Sequence, residues 1–458
     1  MPSSSELISS LYYIFTFKGT YLFIFLLVTL HLSIKMYKNI EISPKLLIRY
    51  YFGIFLIIIT FSSLFSMTNG TIFFKNDLFA DGLKVLYSYD HIFDNQQYEN
   101  LNSAYSARDD DGMLLENPYS EVVSKRTNGI YHSHLPPMPS LQFHIAAYLI
   151  KIFNIAHPWF IFINFVLYFL LVFKNYTFCK VNFNNTVATL FLTLSLLSYP
   201  VIYLYQRGNF SSGYSTQLLI AAYLFFMKYK KLKFIHFLII AIALNFRPNY
   251  LFLLPIFILD DGFVNSIKLL IKHFLSFLTI GYLSFLGVNY MYKDYTFENV
   301  LFAINRYREW HLRRGDGFDN SLYRVFQQMV DPYNAYPYLI YYFFIAASLI
   351  LISLYFLTKV EYKMYFLLFS VFLWSPVSDY HLLILLIPII FHLVNYKIYK
   401  HNTILLILYF AILLPKPHFL NNPLLTDDIS FIPISISNYL NTSMFVYLLL
   451  NPKLSIKS

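Results

Sequence analysis

Residues 337–357 read PYLIYYFFIAASLILISLYFL, a run of 21 residues without a charged side chain. A helix needs about 20 apolar residues to cross the hydrocarbon core of a bilayer, so this stretch predicts a membrane-spanning helix. Other apolar runs recur along the chain, at about 20–36, 48–67, 158–173, 186–204, 213–227, 234–246, 249–259, 273–290, 363–375, 381–394, 403–415 and 439–450. The pair 234–246 and 249–259 can also be interpreted as one broken, re-entrant hairpin.

The composition of the whole chain agrees with this interpretation. Of 458 residues, 57% are hydrophobic and only 13% are charged, whereas a soluble globular protein is typically about 25% charged. So few charges exclude an ordinary soluble enzyme, a disordered chain and a nucleic-acid binder. The single Cys179 excludes a disulfide framework and a cysteine-based metal site. We therefore expect an all-α polytopic membrane protein of about 11–13 transmembrane helices, forming one integral membrane domain over residues 1–458.

The basic residues predict the orientation, because cytoplasmic loops carry an excess of Lys and Arg. A cytoplasmic side made of short stretches near 35–49, 174–180, 228–233, 260–272, 359–363, 397–400 and 453–457 holds 18 of the 34 basic residues and four of the 24 acidic ones. Successive spans place the loops on alternate sides of the membrane, and this assignment holds only if the apolar run 140–153 does not span. We expect it to be a juxtamembrane surface helix, which Lys151 within it fits. Two large outer loops follow, at about 68–140 and 291–336.

The first outer loop opens with two carboxylates in the sequence NDLFAD at 76–81. Asp77 follows a predicted span closely, and Asp81 lies one helical turn farther on. Ionisable residues at a membrane boundary are candidates for function. The alternative is that both are solvated loop residues.

The same loop continues with NPY at 117–119 and YHSHLPPMP at 131–139. His132 and His134 are two residues apart, and without a third ligand they are weak evidence for a metal site. They line a polar groove or are simply exposed. We expect no metal here.

Two arginines lie at the predicted outer ends of spans. Arg207 stands in QRGN at 206–209, and Arg247 stands in NFRPN at 245–249, where Pro248 interrupts the helix. A guanidinium beside a broken helix is suited to binding a phosphate in a bidentate manner. An Arg that only caps two helices would look the same in the sequence.

Further polar residues fall on the same side. The second outer loop contains Arg313 and Arg314, then DNSL at 319–322, which includes Asn320. Between two spans that end outside lies SPVSDYH at 375–381, with Asp379 and His381. The topology was built on Lys and Arg alone, so it did not require these motifs to share one side.

Taken in order, the motifs resemble those of the GT-C superfamily of glycosyltransferases, and most closely glycosyltransferase family 87 and its bacterial relatives. The resemblance covers roughly residues 70–395. It rests on the leading Asp77, the NPY motif, the Pro-Pro pair, the Arg-Pro element, the Asn-x-Ser-Leu-like element and the Ser-Pro-x-Ser element. The sequence departs from the family pattern where Leu135 replaces a Tyr, where a Gln is absent after Gly208, and where Asp379 replaces a Trp.

This resemblance implies a GT-C-like bundle and a reaction. Such enzymes move a hexose or pentose from a polyprenyl-phosphate sugar to a hydroxyl of a lipid or glycan acceptor, with inversion, on the outer face of a membrane. We expect a bacterial cytoplasmic membrane, no cofactor, and no nucleic-acid partner.

The resemblance also implies roles for the residues. Asp77 would be the general base, with Asp81 as the alternative. The donor phosphate would be bound by Arg247, Arg207 and His381. The sugar or acceptor site would be shaped by His132, His134, Asn209, Arg313, Arg314, Asn320 and Asp379.

Two other functions remain open from the sequence. A transporter or flippase of a lipid-linked or polar solute would also need many helices and an intramembrane Arg, but its site would lie near the midplane. A non-catalytic partner in envelope glycan synthesis would tolerate the loss of Asp77.

Overall fold

A computed structural model describes residues 140–153, 157–183, 185–229, 231, 233–257, 263–291, 295–298, 300–301, 338–356 and 379–387, with the single residues 321, 323, 326 and 330. Over these residues the secondary structure is helical, and no strand is present. The α-helices are α1 (Leu141–Phe153), α2 (His157–Asn182), α3 (Asn185–Leu197), α4 (Tyr199–Arg207), α5 (Phe210–Tyr229), α6 (Phe234–Phe246), α7 (Phe263–Met291) and α8 (Leu339–Phe356). The 3-10 helices are η1 (Pro248–Phe257) and η2 (Asp379–Leu385). The prediction of an all-α chain is confirmed for this part.

Two of the described helices are long and apolar enough to cross a membrane. They are Phe162–Asn182 within α2 and Ile267–Met291 within α7. At a rise of 1.5 Å per residue, these segments are about 32 Å and about 38 Å long, which matches a hydrocarbon core of about 30 Å. Few of their residues are buried within the described bundle. The total number of spanning helices stays a prediction.

Several helix bounds lie close to those predicted. The bounds of α6 coincide with the predicted run 234–246, and α1 occupies the run predicted as a surface helix. The run predicted at 186–204 is divided into α3 and α4. The division falls at Ser198, which is extended (φ −69°, ψ 154°), with a proline in the first turn of α4. Proline fits a first helical turn but cannot continue a helix that precedes it, so the chain bends there.

The apolar run predicted at 249–259 is described as far as residue 257, and over these residues it is not an α-helix. It forms η1, a 3-10 helix of 10 residues. Pro248 and Pro255 both lack an amide hydrogen, which weakens an α-helical hydrogen-bond pattern in a segment this short. At about 2 Å per residue, η1 is about 20 Å long and does not cross a bilayer by itself.

The described helices pack as neighbours along the chain. α5 packs against α2 and α6, and α6 packs against α7. On the outside of this row, α3 packs on α2, and α1 packs on α6 and α7. The short η2 packs against α4 and α5, although it lies far away in sequence.

The short connections make α2 and α3 antiparallel, and likewise α5 and α6, and they give the bundle two ends. Helices α6 and α7 run parallel, because the rings of Phe237 and His273 lie 4.4 Å apart and Asn245 donates to the Phe277 carbonyl farther along both helices. Helices α2 and α5 also run parallel. We call the end that holds Asn209 and Arg247 the arginine end. The start of α2 is also there, because the rings of Phe165 and Phe210 lie 4.8 Å apart. The other end, the lysine end, carries exposed lysines near the ends of α2 and α5, before α6 and near the start of α7: Lys180, Lys228, Lys231, Lys233 and Lys268.

Other predicted segments lie outside the described residues. They comprise the spans at 20–36, 48–67, 363–375, 403–415 and 439–450, the first outer loop up to residue 139, and most of the second outer loop. The division into a single domain with two large outer loops stays a prediction.

Candidate functional site

The position of Arg247 follows from the way α6 ends. The helix begins after Lys233 and ends at Arg247, whose backbone leaves the helical region (φ −142°, ψ 88°) while its amide still donates to the Ala243 carbonyl. The next residue is Pro248, which disfavours a helical conformation at the preceding position. The sequence Arg-Pro therefore ends the helix and directs the chain into η1, with a half-buried guanidinium at the turn.

Arg247 contacts the start of the neighbouring helix. Its Nη2 donates a hydrogen bond to Asn209 Oδ1 at 2.9 Å, and the Ser211 hydroxyl donates to the same oxygen at 2.8 Å. Asn209 links α4 to α5, and this tight connection needs Gly208 in the left-handed conformation (φ 66°). The positive end of the α5 dipole and the guanidinium charge therefore lie together.

His381 reaches the same region through Tyr250. The Tyr250 amide donates to the Arg247 carbonyl at 3.0 Å, which is one turn of η1. The Tyr250 hydroxyl donates to the His381 carbonyl at 3.4 Å, and the two rings meet edge to face with centroids 6.2 Å apart. Both side chains are buried. Residues from α5, η1 and η2 are thus joined in one arrangement, which we call the arginine-end cluster: Asn209, Ser211, Arg247, Tyr250 and His381.

Three of the predicted site residues are therefore close together: Arg247, Asn209 and His381. Arg207 is the last residue of α4, two positions before Asn209, and Asp379 begins η2, two positions before His381. The side chains of Arg207 and Asp379 are not among those described. The remaining predicted site residues lie outside the described residues: Asp77, Asp81, His132, His134, Arg313, Arg314 and Asn320. Their roles stay predictions.

Tyr250 and Ser211 were not among the predicted site residues. The position of Tyr250 beside Arg247 could have been predicted, because residues three apart are neighbours on a 3-10 helix and on an α-helix alike. The spacing gives no sign of the contact with His381, which lies 131 residues away in sequence. Ser211 follows Asn209 by two residues, which is a common spacing for polar contacts at a helix start.

A second polar group lies inside the bundle, beneath the start of α5. The Tyr214 hydroxyl donates to Asn164 Oδ1 at 2.7 Å. Deeper in the bundle, Asn175 Nδ2 donates to Gln217 Oε1 at 3.0 Å, and Gln217 Nε2 donates to Ser195 Oγ at 3.3 Å. Such bonds hold apolar helices in a fixed register. Their role here is to fix α5, and with it Asn209, against α2 and α3.

A third polar group connects α1 to α7. His144 contacts the Ser284 hydroxyl through Nδ1, and its Nε2 is hydrogen-bonded to the Tyr295 hydroxyl at 2.9 Å. Burial lowers the pKa of His144 to about 4 and raises the pKa of Tyr295. A neutral imidazole both donates and accepts, so it suits two hydroxyl partners.

The part of the chain that the structure describes contains no group of three or more His, Cys, Asp or Glu side chains that could hold a metal ion. The polar groups of the arginine-end cluster are a guanidinium, an imidazole, an amide and two hydroxyls.

In comparisons with known proteins, no family model, no curated protein and no solved structure matches the chain.

Proposed function

We propose that the chain is a multi-pass membrane glycosyltransferase of the inverting, GT-C-like type. It would move a hexose or pentose from a polyprenyl-phosphate sugar to a hydroxyl of a lipid or glycan acceptor. The single observation that carries the proposal is the arginine-end cluster, where Arg247 contacts Asn209 at the start of α5 beside the buried His381. The ordered motifs of the sequence support it.

The cluster suits a phosphate leaving group. As the bond from the sugar to the donor phosphate breaks, negative charge grows on the phosphate oxygens, and fixed cationic or dipolar groups stabilise that charge. Arg247 supplies a planar guanidinium that matches phosphate geometry. The start of the 20-residue helix α5 adds the positive end of its dipole. We assign Arg247, Arg207 and His381 to the donor phosphate.

The acceptor half of the reaction needs a base. The acceptor hydroxyl attacks the anomeric carbon, its proton passes to a carboxylate, and the polyprenyl phosphate leaves from the opposite face. One carboxylate is enough for a single inverting displacement. We assign this role to Asp77, with Asp81 as the alternative. The sugar and the acceptor would be held by His132, His134, Asn209, Arg313, Arg314, Asn320 and Asp379.

A membrane location is required for such a donor, because a polyprenyl chain is insoluble in water. The two membrane-length helices and the low share of charged residues, 13%, support that location. With the lysine end in the cytoplasm, as the positive-inside rule favours, the arginine end would face the outer side. We propose the bacterial cytoplasmic membrane, with the site on its outer face.

A transporter of a lipid-linked or polar solute is the second candidate, and one observation favours it. The chain is interrupted within the apolar region between α3 and α4, and again between α6 and η1. Discontinuous helices with a helix start directed at an anion are common in transporter sites. The two candidates differ in access to the site, because a transporter opens it to both sides in turn.

The access test uses Asn209→Cys in a Cys179→Ser background, which removes the one native cysteine. Membrane-impermeant thiol reagents are applied to oriented vesicles, first from one side and then from the other. A transferase predicts labelling from the outer side only. Labelling from both sides, blocked from each by the same solute, would replace the transferase with the transporter.

A further inference from the structure

Two exposed aromatic side chains mark one level of the bundle near the arginine end. Trp159 near the start of α2 is 64% exposed, and Tyr290 near the end of α7 is 80% exposed. Their near neighbours in sequence, Phe160 and Val288, belong to the same buried cluster. The start of α2 and the end of α7 therefore lie at the same depth in the bundle.

This level coincides with the ends of the two membrane-length segments. Trp159 lies three residues before Phe162, about 4.5 Å along the helix axis. Tyr290 is the residue before Met291, where the segment in α7 ends. Trp and Tyr are enriched at the boundary between hydrocarbon and headgroups, because their rings are apolar at one end and polar at the other.

Helix α1 joins this level and adds a basic group. Ala146 and Ala147 of α1 pack in the cluster that holds Phe160 and Val288. One turn farther on, α1 exposes Lys151, Ile152 (63%) and Phe153 (66%). A Lys beside large exposed apolar residues suits the boundary between hydrocarbon and headgroups, because its stem packs on apolar surface while its amine reaches the polar layer.

We propose that Lys151, Ile152, Phe153 and Trp159 form a binding surface for an anionic phospholipid, which we call the headgroup surface. The acyl chains would pack on Ile152, Phe153 and Trp159, and the lipid phosphate would pair with Lys151. A lipid fits this surface because the neighbouring helices α2 and α7 also expose large apolar side chains along their lengths, as a protein surface inside a bilayer does. The proposal rests on the membrane location given above but not on sugar transfer.

The depth of Trp159 tests the proposal directly. The chain contains three tryptophans, so Trp310→Phe and Trp374→Phe together leave Trp159 as the single reporter. The full-length protein is reconstituted in phospholipid vesicles brominated either near the headgroups or near the chain ends. We expect bromines near the headgroups to quench Trp159 fluorescence more strongly.

The matched control places a tryptophan lower on the same helix. Leu170→Trp, with the three native tryptophans changed to Phe, lies on an exposed face 11 residues farther along, about 17 Å deeper and close to the middle of the bilayer. Bromines near the chain ends should quench this residue more strongly. If the combined variants do not fold, wild type and Trp159→Phe give the same answer by difference.

Lys151→Gln tests the charge preference. In vesicles of neutral lipid with a minor fraction of brominated anionic phospholipid, a nearby Lys raises the local share of that lipid by about fivefold. Quenching of Trp159 should therefore fall in the Lys151→Gln variant and stay unchanged in Lys174→Gln, whose lysine lies farther along α2. Equal quenching in Lys151→Gln and wild type would overturn the assignment of Lys151.

Two outcomes would overturn the proposal in different ways. If lipid bromines quench the control tryptophan but never Trp159, then protein or water covers the headgroup surface and only this inference fails. If bromines quench neither residue, then α2 does not lie in the bilayer and the membrane location itself fails.

Discussion

Arg247 shows how a single residue acquires its position from its neighbour. Pro248 ends α6, and the chain then turns so that the guanidinium meets Asn209 at 2.9 Å. The sequence predicted the cation and the helix break together, because both follow from the dipeptide Arg-Pro. It did not predict Tyr250 as the link to His381, because that contact depends on the 3-10 geometry of η1 and on the distant η2.

Substitution of Arg247 should separate charge from geometry. We expect Arg247→Gln to lower sugar transfer by about a hundredfold to a thousandfold, because loss of one preorganised group at a developing charge costs about 2.7–4 kcal/mol. Arg247→Lys should recover only part of this, since an ammonium group cannot replace the planar fork. Steady-state transfer rates at saturating acceptor give the comparison.

Lys174→Gln is the matched control, because it removes an exposed positive charge elsewhere on the bundle. Its transfer rate should equal that of wild type. Equal loss in Arg247→Gln and Lys174→Gln would mean that only the overall charge matters, and the phosphate role of Arg247 would then be wrong.

His144 should make the stability of the protein depend on pH. Its pKa is about 4 in the folded chain and close to 6.5 when unfolded. The unfolded state therefore binds more protons between these values, so stability is complete above about pH 6.5 and falls as the pH drops towards 4. The loss for this residue is up to about 3 kcal/mol.

Thermal unfolding in detergent at pH 7.5 and pH 5 measures this effect. His144→Asn cannot titrate, so its melting temperature should change less between the two pH values than that of wild type. Identical shifts in the two proteins would show that His144 is not buried as a neutral ring.

At the scale of helices, α5 is positioned by polar contacts and by close packing. The apolar run at 213–227 predicted a span but not which neighbours it contacts. The neighbours depend on side chains far apart in sequence, such as Asn175 and Gln217, and no local pattern reveals such pairs. The helix breaks were partly predictable, because Pro248 was recognised as a break and Pro200 was not.

Gly213→Ala should destabilise the bundle. A Cβ at this position would lie 2.8 Å from the Leu204 side chain and 2.8 Å from the Tyr168 ring. Both neighbours are fully buried, and the Tyr168 hydroxyl is held by the Ser195 carbonyl, so neither moves easily. Overpacking of this kind typically costs about 1–3 kcal/mol.

Denaturant or thermal unfolding of the purified protein checks the cost. Ser276→Ala is the control, because its exposed hydroxyl bonds only within its own helix, and it should be close to wild type. A Gly213→Ala variant as stable as the control would show that α4 and α5 are farther apart than described.

At the scale of the whole molecule, the described helices have two chemically different ends. Composition predicted a helical membrane protein, and the distribution of Lys and Arg predicted which loops share a side. The described helices place Lys180, Lys231 and Lys268 at one end and Arg247 with Asn209 at the other. The full number of spans and the position of Asp77 could not be derived from these helices, because they depend on segments outside the described residues.

The orientation can be measured with two single-cysteine variants in a Cys179→Ser background. Lys231→Cys reports the lysine end, and Glu298→Cys reports the start of the second predicted outer loop; both side chains are exposed. In intact cells, an impermeant thiol reagent should label Glu298→Cys, and Lys231→Cys only after permeabilisation. The reverse pattern would place the arginine end in the cytoplasm.

The most direct test of the central claim is sugar transfer in reconstituted liposomes. Wild type and Asp77→Asn are compared with a panel of labelled polyprenyl-phosphate sugars and total lipid extract as the acceptor. We predict transfer from one donor by wild type, inversion at the anomeric carbon, and a loss of about a hundredfold or more in a folded Asp77→Asn variant. Equal transfer by both proteins would move the base to another residue. No transfer from any donor, with vesicles instead accumulating one of them, would contradict the claim that this chain is a glycosyltransferase.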